Sequence, residues 1–263
     1  MGVIAATERI GKTVIDSLER WGDAWIFLGR TVKAIFKRPF RFYLFLSQMY
    51  QIGVNSSLVI GLIGVFTGAV LAVQGEYTLS KFGATAFTGS AVALSLIREL
   101  GPVLTALMVI GRAGSAITAE IGIMRITEQI DALRSMAVDP IKYLMAPRFL
   151  AGVLAMPLLT GLFIVIGILG GYVVGVGLLG LSAGTFMSQM ISAVESMDVY
   201  SGFIKAFVFG IIFGWVSCYK GYTCGFGAVG VNKATTQSVV TASVAVLVVD
   251  YFLTSILTRF FMN

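Results

Sequence analysis

The hydrophobic positions of the chain follow two patterns, one periodic and one continuous. In the first 41 residues, apolar side chains recur at steps of three and four, which places them along one side of a helix. These residues are Ile10, Val14, Leu18, Trp21, Trp25, Leu28, Val32 and Ile35. Lysines and arginines occupy much of the remaining surface, and Pro39 is expected to end the helix. A basic amphipathic helix with two tryptophans is typical of a segment that lies in a membrane interface, although a helix packed against a partner protein would show the same pattern.

Five continuous apolar stretches follow this segment. They cover residues 52–73, 90–110, 149–179, 203–219 and 239–258. Each is long enough to cross a hydrocarbon core of about 30 Å at about 1.5 Å per residue, and the fourth is near the minimum. We therefore predict an all-α integral membrane protein, with an N-terminal amphipathic interfacial helix over 1–41 and a single transmembrane domain over 42–263. No apolar run of signal-peptide length precedes the first stretch, so a cleaved signal is not expected.

Composition supports a membrane protein. Hydrophobic residues make up 57% of the 263 residues, charged residues 12%, and the mean hydropathy is +0.91. Soluble domains carry about 25% charged residues, so this chain has too little polar surface to stay dissolved. The net charge of +6 does not indicate nucleic-acid binding, because eight of the 19 lysines and arginines lie before residue 42, among acids and apolar residues.

The positions of the basic residues between the stretches predict the orientation. If the N-terminus is inside, segments 1–41, 111–148 and 220–238 are inner and hold eight, five and two basic residues. The outer segments hold only Lys81 and Arg259. Because cytoplasmic loops are enriched in lysine and arginine, the N-terminus is predicted to be cytoplasmic and the C-terminus to lie on the far side.

The sequence offers little catalytic chemistry. It contains no histidine, and its two cysteines, Cys218 and Cys224, lack the further ligands that a zinc site needs. No Walker-type G-x-x-x-x-G-K-[ST] motif occurs, and 225–230 spells G-x-G-x-x-G without the strand that a dinucleotide site requires. We predict no catalytic residues, no metal site and no cofactor held by this chain.

Four charged residues fall inside the apolar stretches: Arg98, Glu99, Lys205 and Asp250. A charge at the centre of a bilayer costs roughly 2.5–3.5 kcal/mol on insertion scales, so these residues are expected to pair with one another. All four fall in the outer half or near the midplane. We predict a buried network in which Lys205 meets Glu99 or Asp250, while Arg98 either joins it or faces a cavity. Such a network either locks the helices together or forms a polar wall for a lipid headgroup, and both functions are compatible with the sequence.

Two further patterns concern packing and the largest loop. Glycines one helical turn apart, as at Gly64 and Gly68, allow helix backbones to approach closely. In the loop 111–148, a short amphipathic helix is predicted from Ile126, Ile130, Leu133 and Met136, with Glu128, Asp131 and Arg134 on it. Val138-Asp139-Pro140 is then expected to form a turn. Such a helix is suited to dock into a partner protein, although an ordinary solvated loop would also fit the pattern.

A series of short motifs gives the chain a resemblance to a known family. These motifs are Arg98 to Val103, Gly111 to Ala116, Ala119 to Gly122, Met124-Arg125, Thr127 to Leu133, Met136 to Pro140 and Pro147-Arg148, with further similarity at Gly68 to Gly75, at Ala234 to Thr236 and at Val239-Val240. Over about residues 45–258 the sequence resembles the MlaE/YrbE family, the permeases of MCE-type ABC transporters.

The resemblance implies a function and a set of partners. It implies a permease that moves phospholipids between the inner and outer membranes to maintain outer-membrane lipid asymmetry, located in the inner membrane of a Gram-negative bacterium. It implies a homodimer with a phospholipid held between the two copies, a cytoplasmic ABC ATPase that binds ATP, a STAS-domain protein and a periplasmic ring of MCE-domain subunits. The segment with Glu128, Asp131, Arg134, Met136 and Asp139 then resembles the element that receives motion from the ATPase.

Two other functions are compatible with the same residues. A secondary transporter would use Glu99 or Asp250 to carry protons and would need no ATPase. A non-transporting scaffold for other subunits would tolerate neutralisation of the intramembrane charges.

Overall fold

The chain folds into long helices, which a computed structural model describes over residues 2–37 and 41–261. Within those residues, five helices are long and apolar enough to cross a membrane, and no strand occurs. We call them the first to fifth spans: Phe42–Ser80, Thr85–Ile126, Ile141–Gly177, Ser196–Tyr222 and Gly227–Phe261. This confirms the predicted all-α integral membrane architecture with five transmembrane segments.

Three further helices complete the described chain. An N-terminal helix covers Gly2–Ile35, a loop helix covers Gln129–Ser135, and a third helix covers Ala183–Ala193. The N-terminal helix, the loop helix and the turn between the fourth and fifth spans adjoin the same ends of the spans. We call this the basic end of the bundle, since the segments predicted to be rich in lysine and arginine meet there. The Ala183–Ala193 helix lies at the opposite end.

The spans are longer than the apolar stretches that predicted them. The second span continues to Ile126, although its apolar stretch stops at residue 110. The expectation that 111–126 belongs to a loop was therefore wrong, and Ile126 ends this span and takes no part in the loop helix. Polar residues end the apolar run but leave the backbone hydrogen bonds of the helix intact, so hydropathy alone underestimates helix length.

The first three spans contain four π turns, in which each backbone N–H bonds to the carbonyl five residues earlier instead of four. They cover Tyr50–Val54, Leu96–Leu100, Ile110–Gly114 and Ile141–Met145. Such turns are rare in proteins, and those that occur are often found at functional sites. Two of them lie in the second span.

Glycines determine how closely the first and third spans pack. A Cβ atom on Gly68 would lie 1.8 Å from the carbonyl oxygen of Gly167, and one on Gly170 would lie 2.4 Å from that of Val65. The predicted glycine pairs therefore serve packing within the chain at this crossing. The third span also packs along the fourth span, where a Cβ on Gly210 would lie 2.9 Å from the Cα atom of Val153.

The N-terminal helix packs on the bundle through a different face from the predicted apolar stripe. Its buried residues are Ala24, Phe27, Thr31 and Ala34. The indole of Trp215 donates a hydrogen bond of 2.9 Å to the Ala24 carbonyl oxygen, and Trp25 lies against Trp215 with 4.6 Å between ring centroids. In the predicted stripe, Leu18, Trp21, Trp25 and Val32 are exposed. Pro39 and the side chains of Ile10 and Val14 lie outside the described residues.

The close crossing of the first and third spans predicts a large effect of one added methyl group. Gly68→Ala should lower the free energy of unfolding by at least the roughly 1–3 kcal/mol that overpacking costs, because the methyl group would overlap the Gly167 backbone. Gly22→Ala is the matched control, because nothing lies within 4 Å of a Cβ there. Thermal denaturation in detergent measures both variants. Equal melting temperatures for Gly68→Ala and the unaltered chain would contradict the observed crossing.

Candidate functional site

The intramembrane charges gather where the second, fourth and fifth spans meet. The π turn Leu96–Leu100 carries Arg98 and Glu99, and Pro102 follows it at the start of the next helical segment. Proline has no backbone N–H, so it cannot bond the carbonyl four residues earlier, which is that of Arg98. The Lys205 ammonium instead donates to this carbonyl at 3.0 Å. The local backbone break thus creates an acceptor for a buried cation.

Lys205 is the centre of this charged cluster. Only 2% of its side chain is exposed, and its ammonium lies 2.6 Å from Glu99 Oε2 and 3.2 Å from Asp250 Oδ1. It also donates to the Thr254 hydroxyl at 2.7 Å. The predicted pairing of Lys205 is therefore confirmed for both acids. One cation lies between two carboxylates, and three spans are joined at a single atom.

A close helix approach permits this arrangement. The fourth span passes the π turn at Gly202, where a Cβ atom would lie 2.4 Å from the carbonyl oxygen of Ile97. Any larger residue at this position would push the fourth span, and Lys205 with it, away from Glu99. Gly202 is thus a structural requirement of the cluster that the sequence analysis did not single out.

Arg98 does not bind within the Lys205 cluster and pairs with a residue that the sequence analysis missed. Its Nε and Nη2 atoms each lie 2.7 Å from Asp198 Oδ1. The other carboxylate oxygen of Asp198 accepts the backbone N–H of Glu195, and the two residues form a capping box at the start of the fourth span. The three-residue spacing of Glu195 and Asp198 is that of a capping box, but their residue types differ from its usual Ser/Thr and Glu/Gln, so the signal in the sequence was weak.

The predicted alternative that Arg98 faces a cavity is confirmed. Its side chain is 54% exposed, whereas that of Asp198 is 9% exposed. A cavity of about 120 Å³ lies beside it at the end of the bundle opposite the basic end. The cavity is lined by Arg98, Glu99, Glu195, Met197, Asp198, Ser201, Lys205, Thr254, Leu257 and Thr258. Both charge clusters therefore open onto one polar cavity.

A second buried ion pair lies toward the basic end. Arg148, with 5% of its side chain exposed, lies 2.8 Å from Glu120 Oε1 and donates to the Leu144 carbonyl oxygen at 3.0 Å. It joins the second and third spans. Hydropathy did not reveal this pair, because both residues were assigned to the loop and their burial depends on the extension of both helices beyond the apolar stretches.

The loop helix carries the second group of predicted site residues. Ile130 is buried and Leu133 is half-buried, which confirms the predicted apolar side at these two residues. Met136 is 71% exposed and follows the end of the helix, so its predicted place on that side was wrong. Glu128 precedes the helix with a positive φ of 59°, and Asp131 pairs with Arg134 at 3.1 Å.

Asp139 belongs to the turn after the loop helix. The predicted turn is present, and Asp139 Oδ1 accepts the backbone N–H of Ile141 at 3.0 Å, which caps the third span. Asp139 therefore has a structural task in addition to any contact with a partner.

Tyr222, the last residue of the fourth span, connects the loop helix to the bundle. Its hydroxyl accepts a hydrogen bond from Arg134, and its carbonyl oxygen accepts one from Arg125 at the end of the second span. Its ring lies 5.6 Å from that of Phe27 in the N-terminal helix. Three elements of the basic end are thus joined at the end of the helix that carries Lys205.

The two cysteines are buried free thiols. Cys224 lies in the turn before the fifth span and packs near Gly122. Burial raises the pKa of the Cys224 thiol, and the positive charge of Arg125 offsets part of this rise. A protonated, buried thiol is a poor nucleophile.

These features define a multi-pass helical membrane protein with a polar cavity at one end and, at the other, a loop helix that is anchored to the bundle. The family model described as "Permease MlaE" matches residues 45–256. The chain belongs to this permease family, as the sequence motifs predicted.

Three relatives illustrate the range of the family. The chain is 47% identical to the "Intermembrane phospholipid transport system permease protein MlaE" of Haemophilus influenzae, over 94% of this chain and 95% of that protein. It is 43% identical to a "Probable ABC transporter permease protein" of Rickettsia bellii, with the same coverage. It is 35% identical to the chloroplastic "Protein TRIGALACTOSYLDIACYLGLYCEROL 1" of Arabidopsis thaliana, over 88% of this chain and 66% of that protein.

Replacing Lys205 should lower the free energy of unfolding, and neutralising Glu99 and Asp250 as well should restore most of it. Lys205→Met leaves Glu99 and Asp250 facing each other without a cation, and breaking a buried pair in this way costs about 3–5 kcal/mol. Because Glu99 is 43% exposed, we expect the lower end of that range. Adding Glu99→Gln and Asp250→Asn should recover most of the loss in a detergent melting experiment. If the triple variant melts no higher than Lys205→Met, charge pairing does not explain the cluster.

Proposed function

We propose that this chain is the permease subunit of an ABC transporter that moves phospholipids between the inner and outer membranes and so maintains outer-membrane lipid asymmetry. The observation that carries the proposal is the polar cavity beside Arg98, in a family whose Haemophilus relative is named for intermembrane phospholipid transport. A phospholipid combines an anionic phosphate with apolar chains, so its path needs a cationic group beside apolar helix surfaces.

Arg98 is the residue that would receive the phosphate. Its guanidinium is held by Asp198 on one side and is exposed to the cavity on the other. Arginine donates two parallel N–H groups and stays charged in an apolar setting, which suits it to phosphate oxygens. Lys205, Glu99 and Asp250 hold the surrounding spans and give the cavity a polar wall.

ATP hydrolysis would take place in a separate subunit. The sequence has no P-loop, and the connections between its spans are too short for a nucleotide-binding domain. The loop helix, with Glu128, Asp131, Arg134 and the exposed Met136, would dock into a groove of the ATPase. Exposed charges around one apolar anchor are suited to such a helix-in-groove contact.

The proposed function also implies further subunits. The permease would act as a homodimer in the inner membrane of a Gram-negative bacterium, with a phospholipid between the copies, a STAS-domain protein beside the ATPase and an MCE-domain ring on the periplasmic side. The excess of lysine and arginine at the basic end supports a cytoplasmic N-terminus. The outward-facing Leu18, Trp21 and Trp25 would place the N-terminal helix in the membrane interface.

Affinity purification in mild detergent tests the proposed function. We expect the chain to co-purify with an ABC ATPase, and phospholipid to be recovered from the complex by mass spectrometry. Addition of ATP should change the amount of lipid bound. A chain that purifies alone and lipid-free would contradict the proposal, and lipid movement driven by a proton gradient without the ATPase would favour a secondary transporter.

The contacts of Tyr222 predict a defect in coupling. Tyr222→Phe keeps the ring against Phe27 but removes the hydroxyl that accepts from Arg134. We expect the ATPase to stay bound and ATP turnover to be nearly unchanged, while lipid moved per ATP falls several-fold, because the loop helix is less firmly joined to the fourth span. Tyr200→Phe, at the opposite end of the same helix, is the control, because Tyr200 is exposed. Loss of ATPase binding in Tyr222→Phe, or unchanged lipid transport, would contradict this coupling function.

A further inference from the structure

Arg112 differs from Arg98, Arg148 and Lys205 in having no carboxylate beside it among the described residues. Arg98, Arg148 and Lys205 each lie within 2.8 Å of a carboxylate oxygen. Arg112, in the π turn Ile110–Gly114, makes no ion pair with any residue that the structure describes. A guanidinium at the edge of a membrane that lacks a protein counter-ion is favourable only if an anion or water reaches it.

The hydrogen bonds of Arg112 fix the direction of its guanidinium. Nη1 donates to Ser56 Oγ at 2.7 Å and to the carbonyl oxygen of Gln51 at 3.3 Å. Gln51 lies in the π turn Tyr50–Val54 of the first span, so a contact between two π turns holds the side chain. Nε and Nη2 make no hydrogen bond within the described chain. These are the two parallel donors with which Arg98 holds its carboxylate.

The space beside Arg112 is open. Gly111 has nothing within 4 Å of the position of a Cβ atom, whereas a Cβ on Gly101 or Gly114 of the same span would lie within 3.0 Å of a neighbouring atom. Arg112 itself is exposed. The absence of a side chain at residue 111 is therefore not required by packing within the chain, and it leaves room next to the free donors.

The depth of Arg112 matches that of lipid phosphates. It follows the apolar stretch of the second span by two residues, and Gln51 precedes that of the first span by one. Both therefore mark the edge of the hydrocarbon at the basic end. Arg98 lies 14 residues earlier on the same helix, which corresponds to about 21 Å. The second span thus presents Arg98 in the outer half of a core about 30 Å thick and Arg112 at its basic-end edge.

We propose that Arg112 binds the phosphate of a phospholipid at the basic-end surface of the membrane, and that this is a lipid site separate from the cavity at Arg98. The inference rests on the proposed transport of phospholipid. Nε and Nη2 supply two charge-assisted hydrogen bonds to phosphate oxygens, and the gap at Gly111 admits the headgroup. Between the two arginines, Val103, Leu104, Leu107 and Met108 remain half-buried or exposed, which provides apolar surface for the acyl chains.

Three probes test the site on the complex with its ATPase in detergent. Dioleoylphosphatidylglycerol should raise the melting temperature of the unaltered complex, and dioleoylglycerol, which lacks the phosphate, should not. In Arg112→Gln the apparent affinity for the phospholipid should fall about tenfold, as expected for lost charge-assisted bonds. Equal protection by inorganic phosphate would assign the site to a free anion and overturn the proposal.

Two further variants separate lipid binding from a purely structural function of Arg112. Ser56→Ala removes the hydroxyl that holds Nη1 but keeps the charge, so lipid affinity should fall less than in Arg112→Gln. Arg112→Lys keeps the charge without the parallel donors and should lie between them. If Ser56→Ala and Arg112→Gln lower the melting temperature equally and leave lipid affinity unchanged, Arg112 only ties two helices together.

Transport and cross-linking complete the test. In liposomes, the unaltered complex should move phospholipid and Arg112→Gln should move it about tenfold more slowly. If the unaltered complex moves none, the proposed function fails; if both move it equally, only the present inference fails. A disulfide-linked dimer formed by Gly111→Cys would show that a second copy of the chain covers this surface, and would overturn the lipid site.

Discussion

The buried ammonium of Lys205 is the interaction on which the arrangement of the spans depends. A cation with 2% exposure is stable only when acceptors surround it, and here the acceptors come from the second and fifth spans, while Lys205 itself belongs to the fourth. The fifth span contributes Asp250 and Thr254, although only 11% of its most apolar stretch is buried. Packing alone would hold this helix weakly, so the ion pairs fix its position.

Breaks in helical hydrogen bonding supply much of the polar chemistry of the protein. Pro102 frees the carbonyl of Arg98 for Lys205, and the π turn Tyr50–Val54 presents the carbonyl of Gln51 to Arg112. Irregular backbone inside a membrane is tolerated where protein groups satisfy it. In both places a basic side chain from a neighbouring helix does so. The exposed guanidinium of Arg98 and the unused Nε and Nη2 donors of Arg112 would then be available to a ligand.

The sequence predicted the parts of the site that follow from the cost of charge in lipid. Lys205 had to meet an acid in any five-helix arrangement, so its pairing with Glu99 and Asp250 could be expected. The partner of Arg98 could not, because Asp198 lies outside the predicted fourth stretch and its position depends on the capping box that begins the helix. The Arg148–Glu120 pair was missed for a similar reason, since helices extend beyond the residues that hydropathy detects. Likewise, tertiary packing decided that Ala24 and Phe27 of the N-terminal helix face the bundle, whereas Leu18, Trp21 and Trp25 of the predicted stripe are exposed.

The central claim is that this chain provides a lipid path and takes its energy from another subunit. Reconstitution into liposomes, with the ATPase added or withheld, tests it most directly through the transfer of a fluorescent phospholipid to acceptor vesicles. We expect transfer only when permease, ATPase and hydrolysable ATP are all present. Transfer at the same rate without ATP, or hydrolysis of ATP by the purified permease alone, would contradict it.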